Sequence, residues 1–305
     1  MESEDLAVIE GVFEDLREFL TTKTAHYELV PPTPEPILEY GRKFMAKIEA
    51  RTGKKLDDLF PEFLIPNFEI IFKVDDMIDN GKTMEEQRHM LHAIVTSVES
   101  GTIDSLFPED IAKTVRECIL SSESRTKALL SELAAEITLL NPDLDWVEAM
   151  IQRARVTLYS ALLVLDFAKL LQAYDEYRLD IPYSRRELAH VAAMWAIATA
   201  TADDYLDRED DIKQNKVTGM TQCDDPKAVF TTVVTFFRTQ VKTPADLWPI
   251  EAFTGIYFDP RECIRIFYQE APRMAQYLFR TENENIAIEK TGLNEVSPLQ
   301  KEESS

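Results

Sequence analysis

Acidic side chains are concentrated in two stretches of this chain. Six of the nine residues from Asp203 to Asp211, the second acidic motif, are Asp or Glu, and a first acidic motif, Asp75-Asp76-Met77-Ile78-Asp79, comes earlier. On a helix, like charges three and four residues apart cost roughly 0.2–0.5 kcal/mol per pair. A cation is therefore expected at each motif, although a solvated acidic helix face is the alternative. Carboxylates without His or Cys favour Mg²⁺ or Mn²⁺ over Zn²⁺.

Helical spacing places these acids beside apolar residues. Asp203, Asp207 and Asp211 stand at i, i+4 and i+8, so they line one helix face over roughly 12 Å, and Trp195 extends that face toward the N-terminus. The first motif shares its face with two aromatic residues, which gives the set Phe68, Phe72, Asp75, Asp76 and Asp79. Two such helices would enclose an apolar cavity closed by carboxylates. This suits a substrate with a hydrocarbon body and a diphosphate head, because Mg²⁺ often bridges carboxylates to phosphates.

Both motifs resemble those of a known enzyme family. Asp75-Asp76-Met77-Ile78-Asp79 matches the DDxxD motif of class I terpene synthases and isoprenyl diphosphate synthases. The second motif is similar to the (N/D)DxxSxxxE motif of terpene synthases, with Asp207 in place of Ser or Thr and Asp211 in place of Glu. The resemblance is to microbial and fungal sesquiterpene synthases. It implies an all-α, single-domain helical bundle of the isoprenoid synthase superfamily, with a central active-site cavity, over residues 1–281.

Two other functions remain open on these residues. Asp203-Asp204-Tyr205-Leu206-Asp207 also resembles the second DDxxD motif of the chain-elongating isoprenyl diphosphate synthases. Those enzymes carry an Arg-Arg-Gly run after the first motif, whereas Asn80-Gly81-Lys82 and the residues after it contain no Arg pair. A cyclase that ionises a single diphosphate, most simply farnesyl diphosphate, therefore fits better. The third hypothesis is a non-catalytic acidic helical protein that binds a partner or serves as a scaffold.

The resemblance implies a role for each candidate site residue. Mg²⁺, three ions in this family and replaceable by Mn²⁺, would be held by Asp75, Asp76, Asp79, Asp203, Asp207 and Asp211. Asp75 and Asp76 are the expected catalytic acids, and Arg155, in Arg155-Val156-Thr157, would sense the diphosphate. Further contacts to the substrate are expected from Lys213, Lys216 and Arg280. The cavity lining would include Phe68, Phe72 and Trp195, although aromatic residues at helical spacing are more often plain core.

Composition narrows the class of protein. The 305 residues are 45% apolar and include only 8 Gly, which suits one helical domain, and residues 282–305 form an acidic tail predicted to be partly disordered. A formal net charge of −22 argues against binding nucleic acid or an anionic membrane. The start of the sequence is acidic where a signal peptide is basic, and no apolar run is long enough to span a membrane. A cytoplasmic protein is expected, with Cys118, Cys223 and Cys263 reduced and a homodimer left open.

Periodicity and capping residues predict the helices. One helix is expected from about Ser3 to Leu20, a second from about Ile37 after a Pro-rich break, and a third ending in the first acidic motif. Thr83-Met84-Glu85-Glu86 has the form of a capping box that opens the next helix. Later helices are predicted within 108–139 and at about 143–171, 184–211, 226–239, 244–253 and 260–281.

Overall fold

The computed structural model describes residues 2–22, 73–75, 77–78, 83–158, 162 and 185–240, together with 46, 49–50, 53 and 55. Within these residues the chain is helical and contains no β-strand, which confirms the all-α class. Contacts divide the chain into one unit of residues 1–29 and 66–250 and another of residues 30–65 and 251–305. Only five residues of the second unit are described, and the predicted tail lies outside the described residues.

The helices of the first unit follow the predicted order. They are α1 (Glu2–Thr22), α2 (Met84–Ser100), α3 (Glu109–Thr114), α4 (Glu123–Leu139), α5 (Trp146–Val156), α6 (Arg185–Leu206), α7 (Arg208–Gln214), α8 (Gly219–Gln222) and α9 (Pro226–Gln240). A 3-10 turn, Ile103–Ser105, precedes α3, and a π-helix, Val115–Leu120, follows it directly. Among the described helices, none is long and apolar enough to cross a membrane. The helices predicted near Ile37, over 244–253 and over 260–281 lie outside the described residues.

Helix α1 is the packing partner of much of the unit. It lies mainly against α6 and also contacts α4, α5 and α9. Five apolar residues at helical spacing form a stripe along this helix: Ile9, Phe13 and Leu16 are fully buried, Leu20 is 6% exposed and Leu6 is half-buried. Burial of one apolar stripe, rather than intrinsic propensity, is what stabilises such a helix in a protein.

Capping residues begin and end α2, and the box at its start is the one that the sequence predicts. The backbone N–H of Thr83 donates to Oε2 of Glu86 at 2.8 Å, and the backbone N–H of Glu86 donates to Oγ1 of Thr83 at 3.3 Å, which completes the capping box. The helix ends at Gly101, whose φ of 69° lies in the left-handed region that glycine adopts without strain.

Helix α5 is shorter than the predicted 143–171 helix. It ends at Val156, and Thr157 has φ −95° and ψ 8°, although Leu158 and Leu162 are again helical. The hydroxyl of Thr157 donates to the carbonyl of Ala154 at 2.8 Å and to that of Ala196 in α6 at 3.2 Å. A threonine hydroxyl can compete with backbone N–H groups for a nearby carbonyl, and the interruption falls at this residue. The same hydroxyl ties α5 to α6.

The buried face of α1 gives a test of this packing. Phe13→Ala is expected to lower the free energy of unfolding by about 3–5 kcal/mol, because a fully buried ring would leave a cavity. Glu18→Ala, at an exposed position of the same helix, is expected to change it by less than about 0.5 kcal/mol. Urea unfolding followed by circular dichroism measures both. Equal losses for the two variants would contradict the described packing of α1.

Candidate active site

The second acidic motif spans two helices rather than one. Helix α6 ends at Leu206, Asp207 has φ −95° and ψ 5°, and α7 begins at Arg208. Asp204 is 2% exposed and Asp211 is 8% exposed, whereas Asp203 and Asp207 are exposed. The inward acids are therefore Asp204 and Asp211, and the predicted set of Asp203, Asp207 and Asp211 does not share one buried face. Asp204 is the member that the sequence reading did not single out.

An internal arginine meets the end of α6. Arg153, on α5, donates from Nε to Oδ1 of Asp204 at 2.8 Å and from Nη2 to Oδ2 of Asp203 at 3.2 Å. A guanidinium that binds two carboxylates with separate N–H groups is both charge-assisted and geometrically specific. We refer to Arg153, Asp203, Asp204 and Asp211 as the arginine–aspartate cluster.

Burial and charge shift the pKa values of the cluster. Removal from water raises the pKa of Asp204 to about 7, while the nearby guanidinium of Arg153 opposes the rise. The attraction of Asp204 raises the pKa of Arg153 further above its ordinary value, so this arginine stays charged. Burial also raises the pKa of Asp211, and the ammonium group of Lys216 works in the opposite direction. Burial therefore disfavours the charged form of both inward acids, whereas the nearby Arg153 and Lys216 favour it.

Arg155, the predicted diphosphate sensor, is placed on another side of α5. Its Nη2 lies 3.1 Å from Oε2 of Glu10 and 2.9 Å from Oε1 of Glu14, both on α1. Residues two apart on a helix point about 200° apart, so Arg153 and Arg155 cannot serve the same neighbour. The resemblance named Arg155 and not Arg153, and nothing in the local spacing of the two arginines shows which of them faces the second acidic motif. A role of Arg155 toward the substrate stays a prediction.

The two predicted lysines have different partners. Lys213 is exposed and lies 2.7 Å from Oδ1 of Asp210, and this hydrogen bond raises the pKa of the lysine. Lys216 is also exposed; its backbone N–H donates to the carbonyl of Asp211 at 2.9 Å, and its side-chain charge acts on the Asp211 carboxyl. Of the two, Lys216 is the one whose charge reaches the cluster.

The first acidic motif lies at a cavity of about 70 Å³. Asp75 is exposed and lines it together with Val74 and Ile78. The other lining residues are mostly apolar: Ile94, Val98, Phe107, Val115, Ile119, Leu129, Glu132, Leu133, Glu136 and Val156. Val115 and Ile119 belong to the π-helix, a structure that is frequent at functional sites. A small, mostly apolar cavity therefore lies beside Asp75, and no residue of the second acidic motif is among the described residues that line it.

One wall of the cavity adjoins the arginine–aspartate cluster. Glu136 lines the cavity, and its charge is among those that raise the pKa of Arg153. Val156 also lines the cavity and stands three residues after Arg153, on the same side of α5. Glu136 is therefore near enough to Arg153 for the two charges to interact, and Arg153 in turn binds Asp203 and Asp204.

Of the remaining predicted site residues, one is described by the structure and five are not. Trp195 lies half-buried in α6 and is not among the residues that line the cavity. The remaining ones lie outside the described residues: Phe68, Phe72, Asp76, Asp79 and Arg280.

The described acids do not form a closed metal cage. Within the described part of the chain, no three His, Cys, Asp or Glu side chains are grouped so that they could hold a metal ion. Mg²⁺ does not require such a cage, because it is usually bound by one or two carboxylates and completed by water and substrate phosphates. Asp203 and Asp207 fit that requirement, since both are exposed and lie one helical turn apart.

Comparison with family models, curated proteins and solved structures gives no match for this chain.

Proposed function

We propose that this protein ionises and cyclises an allylic isoprenyl diphosphate in a Mg²⁺-dependent reaction. Farnesyl diphosphate is the expected substrate, and the products are a sesquiterpene and diphosphate. The observation that carries the proposal is the apolar cavity with Asp75 at its wall and Glu136 leading to Arg153, Asp203 and Asp204. It supports the proposal because an acid of the first motif lines an apolar cavity, and the charge of another lining residue, Glu136, acts on the arginine that binds the second motif.

The second acidic motif would receive the diphosphate head. Asp203 and Asp207 would hold Mg²⁺, which supplies positive charge to the leaving group when it is bound. Asp75 would do the same from the first motif. Arg153 already donates hydrogen bonds to acidic oxygens, and its fixed fork of N–H groups matches phosphate oxygens equally well. The bond between the diphosphate oxygen and the allylic carbon breaks, and its electron pair leaves with the diphosphate.

The cavity would receive part of the hydrocarbon chain. Its volume of about 70 Å³ is smaller than the ~150 Å³ of an apolar cavity that binds benzene. A farnesyl chain would therefore place only one end between residues such as Ile94, Ile119 and Leu133, while the remainder extends toward the carboxylates. Apolar walls exclude water, so that a double bond of the chain, rather than solvent, can attack the allylic cation. Loss of a proton, or addition of water at the end, completes the reaction.

Incubation of the purified protein with farnesyl diphosphate and Mg²⁺ tests the proposal. We expect a hydrocarbon or alcohol in the headspace together with released diphosphate. Chelation of the metal should stop turnover, and added Mg²⁺ or Mn²⁺ should restore it. Gas chromatography with mass spectrometry identifies the product, and a phosphate-detection assay quantifies the leaving group.

The same experiment separates the two other candidate functions. A longer isoprenyl diphosphate, formed only when isopentenyl diphosphate is added, would identify a chain-elongating prenyltransferase, which the DDxxD reading of Asp203–Asp207 allows. If geranyl, farnesyl and geranylgeranyl diphosphate are all not turned over, the hypothesis that remains is a non-catalytic acidic scaffold protein. In such a protein Arg153 and its carboxylates would serve only to hold α5 on α6.

A further inference from the structure

The segment after the second acidic motif is a tightly closed hairpin. It comprises α7, a turn and α8, that is Arg208–Gln222, and we call it the α7–α8 hairpin. At the turn, Asn215 has φ 56°, the left-handed conformation of a helix C-cap. The backbone N–H of Lys216 donates to the carbonyl of Asp211 at 2.9 Å. The hairpin therefore carries Asp211, the second buried acid of the motif, at its inner side.

Gly219 seats this hairpin on α5. A Cβ atom at this position would lie 1.9 Å from Cγ of Met150, a side chain that is 4% exposed. Only a residue without a side chain allows the first turn of α8 to approach α5 so closely. Val217 adds to the seat by packing in one buried cluster with Ala149 and Leu139.

Arg208 closes the hairpin from its other end. Its Nε donates to the carbonyl of Met220 at 2.8 Å, so the first residue of α7 is bonded to the second residue of α8. Arg208 is half-buried. A hydrogen bond from a charged donor is stronger than one between neutral groups. The hairpin is thereby fixed at its start, at its turn and at its seat on α5.

The residue of α5 that contacts Gly219 and the arginine of the arginine–aspartate cluster lie on the same face of α5. Met150, which contacts Gly219, and Arg153, which binds Asp203 and Asp204, are three residues apart on α5 and so lie on the same side. The hairpin that rests on Met150 carries Asp211, whose carboxyl is close enough to Arg153 for the two charges to interact. The position of Asp211 relative to Arg153 is therefore set by how the hairpin sits on α5.

From these contacts we infer that Arg208 and Gly219 are positioning residues for the candidate active site. Arg208 bonds to a backbone carbonyl and Gly219 has no side chain, so each acts by fixing the α7–α8 hairpin, and with it Asp211, against Arg153 on α5. Where the inference concerns metal binding by the second acidic motif, it rests on the proposed function. The geometric part, that the hairpin sets the surroundings of Arg153, does not.

Arg208→Met and Arg208→Lys test the inference in the full chain. Methionine keeps the bulk of the side chain but cannot donate, whereas the lysine ammonium, one bond farther out than Nε of arginine, can still bond to Met220. The first readout is the ¹H–¹⁵N signal of the Arg153 Nε–H group in metal-free protein. The second is the affinity for Mn²⁺ alone, measured by titration. Arg116→Met, at an exposed arginine paired with Asp104, is the matched control.

We expect Arg208→Met to shift the Arg153 signal and to weaken Mn²⁺ binding by about tenfold, as loss of a partner behind a metal ligand does. Arg208→Lys should restore both, and Arg116→Met should change neither. Gly219→Ala should reproduce the shift of the Arg153 signal. If that variant does not fold, the comparison of Arg208→Met with Arg208→Lys tests the inference. A folded Arg208→Met protein with an unchanged Arg153 signal overturns the inference. Wild-type protein that fails to bind Mn²⁺ counts instead against the proposed function, and the Arg153 signal still decides the positioning role.

Discussion

Alanine in place of Asp203 is expected to abolish Mg²⁺-dependent turnover of farnesyl diphosphate while leaving the helical fold intact. Asp203 is exposed, so its loss removes a ligand without opening a cavity. Loss of a residue that only supports a metal ligand costs about 10–100-fold, so loss of the ligand itself should cost at least about 100-fold. Asp75→Ala should have the same effect at the first motif, because the proposed reaction requires both motifs to hold one diphosphate. Product formation at saturating Mg²⁺ measures the effect.

A nearby acid provides the control for this prediction. Glu209→Ala removes one exposed carboxylate from the same motif, but it is not among the proposed metal ligands. Its turnover should stay close to that of the wild type, which separates loss of a ligand from loss of general negative charge. Circular dichroism should be unchanged in all the variants. A double variant, Asp75→Ala with Asp203→Ala, that still forms product would refute the metal assignment.

Methionine in place of Arg153 is expected to give the largest loss of stability among charge substitutions at the site. Asp204 is 2% exposed, and without the guanidinium it would keep a buried carboxylate with no internal cation bonded to it. Removing one partner of a buried pair costs about 3–5 kcal/mol. We expect about 3 kcal/mol at pH 8, the lower end of that range, because the Arg153 side chain is itself 23% exposed.

The loss should depend on pH in a defined direction. The pKa of Asp204 is raised in the folded protein to about 7 from an ordinary value of 3.8, so the folded state holds a proton that the unfolded state has released. This contribution to stability is present at low pH and declines as the pH rises from about 4 to about 7. Without Arg153 the pKa of Asp204 rises further, and the decline continues above pH 7. The wild type and Arg153→Met should therefore differ less at pH 5.5 than at pH 8.

Arg155→Met is the matched control for that comparison. It stands on the same helix and is itself 19% exposed, but its partners Glu10 and Glu14 are 34% and 54% exposed, whereas Asp204 is 2% exposed. Ion pairs whose carboxylates remain in contact with water contribute about 0–1 kcal/mol, so we expect a loss within that range and little dependence on pH. Urea midpoints at the two pH values measure both proteins. Equal losses for the two arginine variants would show that the Arg153 pair is not the buried anchor of α6.

Helix positions were predictable because periodicity and caps are local signals. The Leu, Ile and Phe spacing of α1 and the Thr83–Glu86 box each lie within a few residues, and both are confirmed. The end of α5 was not predictable, because it depends on a Thr157 hydroxyl that bonds to Ala196 in another helix. Local spacing does not contain that partner.

The spacing of the second acidic motif did not determine which of its acids would be buried. The i, i+4, i+8 spacing grouped Asp203, Asp207 and Asp211, whereas the structure buries Asp204 and Asp211, which are seven residues apart and also share a helix face. Local spacing allows either grouping, because the buried face depends on which helix packs against the motif. The choice between Arg153 and Arg155 likewise depended on which neighbour α5 packs against. Tertiary packing, which the sequence does not display, decided both.

The placement of α1 has a consequence for how the chain acquires its structure. Its apolar face is covered mainly by α6, which is translated long after it. Until α6 emerges from the ribosome, Ile9, Phe13 and Leu16 have no permanent cover, and closing so long a loop slows folding. During synthesis the nascent N-terminal helix would thus expose its apolar face. Chaperones bind such segments, and the segments aggregate when chaperones are scarce.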